Sequence, residues 1–75
     1  MSKLPTVSGK NAVAAFEKAG FAVVRIEGSH HILKREGHRN LLTVPCHRNE
    51  DLKPGTLRGL LRAAEMSVDE FVKLL

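Results

Sequence analysis

Apolar residues near the start of the chain repeat at helical spacing. Val13 and Phe16 lie on one stripe, with small alanines beside them. Ser8 precedes the stripe and can accept hydrogen bonds from free N–H groups as an N-cap. Gly20 follows it and adopts a left-handed conformation at little cost. The pattern predicts a helix between Ser8 and Gly20, with Phe21 packing back on Phe16.

The pattern in the middle of the chain predicts short strands separated by turns. The runs rich in β-branched, aromatic or leucine residues are 21–27, 30–35 and 40–44. Gly28-Ser29 and residues 36–38 provide the turns, and Pro45 is expected to end the third strand because it cannot donate to a ladder. Connections this short predict an antiparallel meander of three strands.

The last part of the chain is again helical. Leu57, Leu60 and Leu61 form a second apolar stripe in a helix that starts near residues 54–56, where proline is tolerated. Ser67 and Glu70 have the spacing of a capping box, which opens one more short helix. We predict an α+β fold in the order α-β-β-β-α-α: a two-layer sandwich of one domain, residues 1–75, with one open face or edge on its three-stranded antiparallel sheet.

Composition and charge narrow the class of partner. The 75 residues carry a net charge of +4, which favours anionic partners such as RNA, DNA or an acidic protein, although a solvated basic surface gives the same balance. The single cysteine cannot form an internal disulfide, and no apolar stretch is long enough for a signal peptide or membrane span. We expect a cytoplasmic protein that does not contact a membrane.

Four histidines lie between positions 30 and 47 and are the main candidates for chemistry: His30, His31, His38 and His47. Imidazole titrates near pH 6.5, which suits proton transfer at cellular pH. A metal site is disfavoured because His30 and His31 are neighbours on a strand and point to opposite faces. The chain also lacks paired cysteine or histidine ligand spacings. We therefore expect neither a metal nor another cofactor.

The segment Gly28-Ser29-His30-His31 is the sharpest local signal. Glycine allows the backbone to approach a phosphate closely, and Ser29 offers a hydroxyl and an N–H. A polar hairpin with one packed and one solvated histidine explains the same residues. Alternation along the strand does not decide which histidine faces outward, because each parity set contains one apolar and one basic residue.

Basic side chains follow the histidines. The candidates for holding phosphates are Lys34, Arg35 and Arg48, with further basic residues on the second helix. A solvated face is the alternative interpretation of each of these residues taken singly.

Several short motifs occur in a defined order along nearly the whole chain. They are Leu4-Pro5 before a helix ending in Ala19-Gly20-Phe21, Gly28-Ser29-His30-His31 after one strand, Val44-Pro45-Cys46-His47 after the third strand, and Gly55-Thr56-Leu57 ahead of Ser67-Val68-Asp69-Glu70-Phe71. In this order and spacing the chain resembles the HicA toxins, small ribosome-independent mRNA interferases.

The resemblance implies a fold, an activity and a partner. It implies a double-stranded-RNA-binding-domain-like fold and a metal-independent ribonuclease of a type II toxin–antitoxin system, paired with a HicB-type antitoxin. The family's Gly-Ser-x-His pattern falls on Gly28, Ser29 and His31, which makes His31 the expected catalytic residue. Its Pro-x-His pattern places His47 beside the site or in a structural role. Together with Lys34, Arg35 and Arg48, these residues form the expected RNA site.

Two other functions remain open from the sequence. A non-catalytic RNA- or DNA-binding module of the same fold would use the basic face alone. A small interaction domain whose natural ligand is another protein would bind without strong salt dependence and without competition by RNA.

Overall fold

A computed structural model describes residues 3–75, so residues 1 and 2 of the predicted domain lie outside the described part. Its elements are α1 (Gly9–Lys18), β1 (Ala22–Glu27), β2 (His30–Lys34), β3 (Leu42–Pro45), α2 (Pro54–Ala63) and α3 (Val68–Val72). This is the predicted order α-β-β-β-α-α.

Local capping interactions fix both ends of α1. The Ser8 side chain accepts a hydrogen bond from the Asn11 backbone N–H at 3.1 Å. At the other end Gly20 has a φ of +100°, and the Phe21 N–H donates to the Phe16 carbonyl at 3.1 Å. The two phenyl rings meet edge to face with centroids 6.0 Å apart. The predicted cap and its aromatic contact are confirmed.

The sheet is an antiparallel meander in the order β1-β2-β3. A bulge interrupts the β1–β2 register between Val23 and Arg25. The third strand differs from the prediction, because it begins at Leu42 and includes Pro45, which pairs with His30. Proline is acceptable at the end of an edge strand, where no neighbour requires its missing N–H.

The helices cover one face of this sheet. Leu57, Leu60 and Leu61 of α2 are buried as their spacing predicts, and the predicted capping box of Ser67 and Glu70 opens α3. Phe16 and Phe71 meet in the core with ring centroids 5.1 Å apart. The molecule is 18 Å thick along its shortest axis, the depth of one sheet and one helical layer. The predicted two-layer α+β class is confirmed and is consistent with a double-stranded-RNA-binding-domain-like fold.

None of the helices within residues 3–75 combines the length and apolar character that crossing a membrane requires.

Candidate functional site

Strand pairing decides which face of the sheet each neighbouring histidine occupies. His31 is paired with Val44, which is fully buried, and residues directly opposite each other share a face. His31 therefore lies on the face covered by the helices. His30 is paired with Pro45 and Glu27 and is exposed on the other face. The predicted division into one inward and one outward histidine is confirmed.

The His31 ring opens into a cleft of about 600 Å³ rather than into the sealed core. One wall is a face of α1, the other is the loop that follows β3, and His31 lies between them. The lining residues are Ser8, Lys10, Val13, Ala14, Glu17, His31, Cys46, His47, Arg48 and Asn49. The volume falls within the range of small-molecule and cofactor sites, about 300–1,000 Å³.

Backbone contacts hold the two walls together. A Cβ on Gly9 would lie 2.1 Å from the Pro45 carbonyl oxygen, so only glycine allows α1 to approach the end of β3 this closely. The Cys46 N–H donates to the Ser29 carbonyl at 2.7 Å, and the Leu52 N–H donates to the Val7 carbonyl at 2.8 Å. The loop between β3 and α2 is therefore anchored at both ends.

His31 lines the cleft and has one of its two ring nitrogens buried. Its Nδ1 is buried and has no hydrogen-bond partner within residues 3–75, while the residue as a whole is only half-buried. Such an unpaired buried polar atom costs about 1–3 kcal/mol, and native proteins contain few of them. The ring is therefore held by packing, with Nε2 as the nitrogen that a ligand in the cleft can reach.

Cys46 lines the same cleft but is a poor nucleophile. Burial raises the pKa of its thiol, which lowers the fraction of reactive thiolate at neutral pH. Its Sγ also lies 3.6 Å from the Val44 carbonyl oxygen, to which it donates a weak hydrogen bond. These features give Cys46 a packing role.

Gly28 and Ser29 form the turn that leads into β2. Gly28 has a φ of +60°, a conformation in which glycine is favoured, and the Ser29 carbonyl holds the backbone of Cys46. Gly28 and Ser29 therefore help to position His31 relative to the loop after β3. They do not line the cleft themselves.

Of the predicted basic residues, only Arg48 lies in the cleft. Lys34 is exposed at the far end of β2, about 10 Å along the strand from His31, and on the opposite face. Arg35 packs elsewhere: its guanidinium lies 4.9 Å from the centroid of the Phe21 ring and donates to the Ala19 carbonyl at 3.3 Å. The structure thus brings together His31, His47 and Arg48 and separates them from Lys34 and Arg35.

Arg35 belongs to a packed cluster that also contains His38. The Arg35 Nη2 is 3.2 Å from the His38 Nδ1, and arginine can only donate, so Nδ1 accepts. The other ring nitrogen, Nε2, then carries the proton and donates to the Ala63 carbonyl at 2.8 Å. His38 is therefore a structural histidine with both nitrogens paired.

Sequence reasoning missed the contribution of α1 to the site. Lys10, Val13, Ala14 and Glu17 line the cleft, and their spacing of i, i+3, i+4 and i+7 marks one face of a helix. Lys10 and Glu17 are charged residues at the two ends of that face, a signal present in the sequence. Gly9 was a second missed signal, because a glycine in the first turn of a helix is costly unless another backbone comes close.

Comparison with known proteins identifies the family. The sequence profile of a family described as the HicA toxin of bacterial toxin–antitoxin systems matches residues 9–66 of the 75-residue chain. That span includes α1, the sheet, the loop after β3 and α2, and therefore nearly every residue of the cleft. None of the curated proteins compared with the chain matches it significantly.

Proposed function

The chain belongs to the HicA family of bacterial toxin–antitoxin toxins, and on this premise we propose that it is a metal-independent endoribonuclease with His31 as its catalytic residue. As an mRNA interferase it would slow growth by cutting messages. The observation that supports the proposal is the position of His31, which lines a cleft that also contains Lys10 and Arg48 and has a buried Nδ1 without a hydrogen-bond partner in residues 3–75.

The proposed chemistry is an internal transesterification of RNA. The Nε2 of His31 takes the proton of a ribose 2′-OH, whose oxygen attacks the adjacent phosphorus while the bond to the 5′-oxygen of the next nucleotide breaks. The products are a 2′,3′-cyclic phosphate and, once the leaving oxygen has taken up a proton, a 5′-hydroxyl. General acid–base catalysis by one residue typically contributes about 10²- to 10⁴-fold to the rate. DNA lacks the attacking hydroxyl and is expected to remain intact.

Phosphate binding in this proposal uses the cations of the cleft. Lys10 on α1 and Arg48 on the loop lie on the two walls that flank His31, where they would hold the reacting phosphate and offset its developing charge. Lys34 and Arg35 lie at the far end of β2. Their predicted contacts are therefore limited to RNA that flanks the cleaved bond.

A cleavage assay tests the proposal. Wild-type protein in excess chelator should convert a mixed-sequence RNA to fragments with cyclic phosphate ends and leave the same sequence in DNA uncut. His31→Ala should lose about 10²-fold or more of the rate. His30→Ala is the matched control, since this neighbouring histidine lies on the opposite face and is exposed, and it should cut at the parent rate.

The same assay separates the enzyme from a non-catalytic nucleic-acid-binding module. Such a module would bind RNA with strong salt dependence, and neither wild type nor His31→Ala would cut it. RNA cleavage by His31→Ala at the parent rate would instead show that another residue is catalytic.

We further propose a HicB-type antitoxin as the protein partner, which would cover the cleft. A net charge of +4 favours association with an acidic surface. Expression of the wild-type chain alone should arrest growth, and the product of the neighbouring gene should restore it. The His31→Ala chain should be harmless and still bind that product.

A further inference from the structure

Strand cleavage by the 2′-OH needs proton transfer at two places. The attacking and leaving oxygens lie roughly in line on opposite sides of the phosphorus. His31 offers the cleft one nitrogen, because its Nδ1 is buried. A single Nε2 cannot take a proton from one side of the phosphorus and deliver one to the other side in the same step. The cleft must therefore supply a second group for the leaving 5′-oxygen.

The lining of the cleft contains few side chains that can donate a proton near neutral pH. Lys10 and Glu17 also line the cleft, but lysine and glutamate serve less often than histidine as the residue that transfers a proton. Burial raises the pKa of the Cys46 thiol, which makes it a weaker proton donor. His47 is the remaining imidazole in the cleft, and imidazole is the group whose ordinary pKa suits this transfer.

The position of His47 suits the leaving-group side. His31 lies on the middle strand of the sheet and is half-buried, whereas His47 is exposed on the loop that forms one wall of the cleft. An exposed imidazole is accessible to a leaving fragment that departs into solvent. The loop is held by the Cys46–Ser29 and Leu52–Val7 backbone bonds, and the Glu50 N–H donates to the His47 carbonyl at 3.2 Å.

We propose that His47 is the general acid that protonates the leaving 5′-oxygen while His31 takes the 2′-OH proton. The inference rests on the proposed ribonuclease function and adds its second catalytic residue. In the step, the bond between the 2′-oxygen and phosphorus forms and the bond between phosphorus and the 5′-oxygen breaks. One proton passes to His31 and one leaves His47, so the protein's total proton count is unchanged.

The test compares two substrates that differ in their need for an acid. One is a mixed-sequence RNA, and the other is a set of ribonucleoside 3′-phosphodiesters with a p-nitrophenyl leaving group, which departs without protonation. His47→Ala should lose about 10²-fold or more on RNA and stay within about tenfold of wild type on the activated diesters. His31→Ala should lose activity on both substrates, because both need their 2′-OH deprotonated.

The pH profile on RNA gives a second readout. Wild type should show a bell-shaped dependence, and His47→Ala should lose the alkaline limb, which reports the acid. His30→Ala, an exposed histidine that does not line the cleft, is the matched control and should keep wild-type behaviour. Thermal unfolding of each variant shows that it is folded.

Each outcome has a defined meaning. RNA cleavage by His47→Ala at the parent rate overturns the proposal, and so does an equal loss on both substrates, which would make His47 a binding residue. Wild-type protein that cuts neither substrate would refute the ribonuclease function itself, and the role of His47 with it.

Discussion

The two ends of β2 lead to two histidines in opposite environments. At the far end, His38 has a side chain only 4% exposed, and both of its ring nitrogens are paired. At the near end, His31 lines a cleft, and its Nδ1 is buried with no hydrogen-bond partner in the part of the chain that the structure describes. A buried histidine whose two ring nitrogens are both hydrogen-bonded has a structural role. A buried ring nitrogen without a partner beside a cavity calls for an explanation other than stability, and this makes His31 the candidate for a functional role.

The two arginines repeat this contrast. Arg35 stacks on Phe21 and bonds to Ala19 and His38, so its donors are used by the fold. Arg48 is exposed on the wall of the cleft. The sequence suggested the same role for both, and only their surroundings distinguish them.

His31→Leu is expected to have the largest effect of the substitutions considered. We expect RNA cleavage to fall by about 10²- to 10⁴-fold. The free energy of unfolding should stay unchanged or rise by up to about 1 kcal/mol, because the unpaired Nδ1 is removed while the ring's volume is largely kept. Cleavage rates and urea unfolding measure the two effects. A loss of stability above about 2 kcal/mol would instead place His31 among the structural histidines.

His38→Ala should have the opposite effect, with lower stability and unchanged RNA cleavage. Its removal leaves a space beside Phe21 and deprives Arg35 and Ala63 of hydrogen-bond partners. We expect the free energy of unfolding to fall by about 2–4 kcal/mol, with the cleavage rate per folded molecule unchanged. His47→Ala is the matched exposed control for stability and should stay within about 0.5 kcal/mol of wild type. A strong loss of RNA cleavage rate in folded His38→Ala would contradict the structural role given to His38.

Gly9→Ala tests whether the cleft depends on the close approach of α1 to β3. The added methyl group would meet the Pro45 carbonyl at 2.1 Å, so the helix must shift. We expect a loss of about 1–3 kcal/mol in urea unfolding and slower cleavage because the walls separate. Gly59→Ala is the control, because nothing lies within 4 Å of its Cβ in the middle of α2. That variant should gain about 0.5–1 kcal/mol.

The salt dependence of RNA binding should distinguish Arg48→Ala from Arg35→Ala. Each phosphate contact with single-stranded nucleic acid contributes about −0.7 to the slope of log K against log salt. Arg48→Ala should reduce the slope of RNA binding by about this amount with little change in stability. Arg35→Ala should lower stability by about 1 kcal/mol and leave the slope unchanged. Equal slopes for wild type and Arg48→Ala would remove Arg48 from the phosphate site.

A substitution at the N-terminal cap of α3, remote from His31 and His38, should change stability least. Hydrogen bonds from the Ser67 backbone and hydroxyl lower the pKa of Glu70 below its ordinary 4.5. Because the folded pKa is lower than the unfolded one, this carboxylate stabilises the fold above about pH 4.5, and the contribution disappears as pH falls through the folded pKa. Glu70→Gln should therefore be less stable than wild type at pH 7 and closer to it at pH 3, as urea unfolding at both pH values would show.

Much of the fold could be predicted because its signals are local. The Ser8 cap, the Gly20 turn with Phe21 on Phe16, and the Ser67 capping box each depend on residues within a few positions of one another. The three strands followed from β-rich runs separated by turns. The exact start of β3 and the inclusion of Pro45 did not follow, because strand ends depend on the neighbouring strand.

The candidate site was predicted in part. His31, His47 and Arg48 line one cleft, whereas Lys34 and Arg35 lie elsewhere. The sequence did not show which face of β2 is covered by the helices, because Ile32 and Leu33 are both apolar and both buried, on opposite faces of the sheet. Lys10 and Glu17 were missed because they come from an element distant in sequence from the histidines.

Neighbouring residues specify the elements, their order, the basic character and the family, because helical and strand periods, caps and motifs are local patterns. Tertiary structure alone decided which histidine keeps an unpaired nitrogen beside a cleft and which arginine is taken up by the fold. Those properties depend on which surfaces come together, such as α1 against the end of β3 at Gly9, and no local pattern specifies that contact.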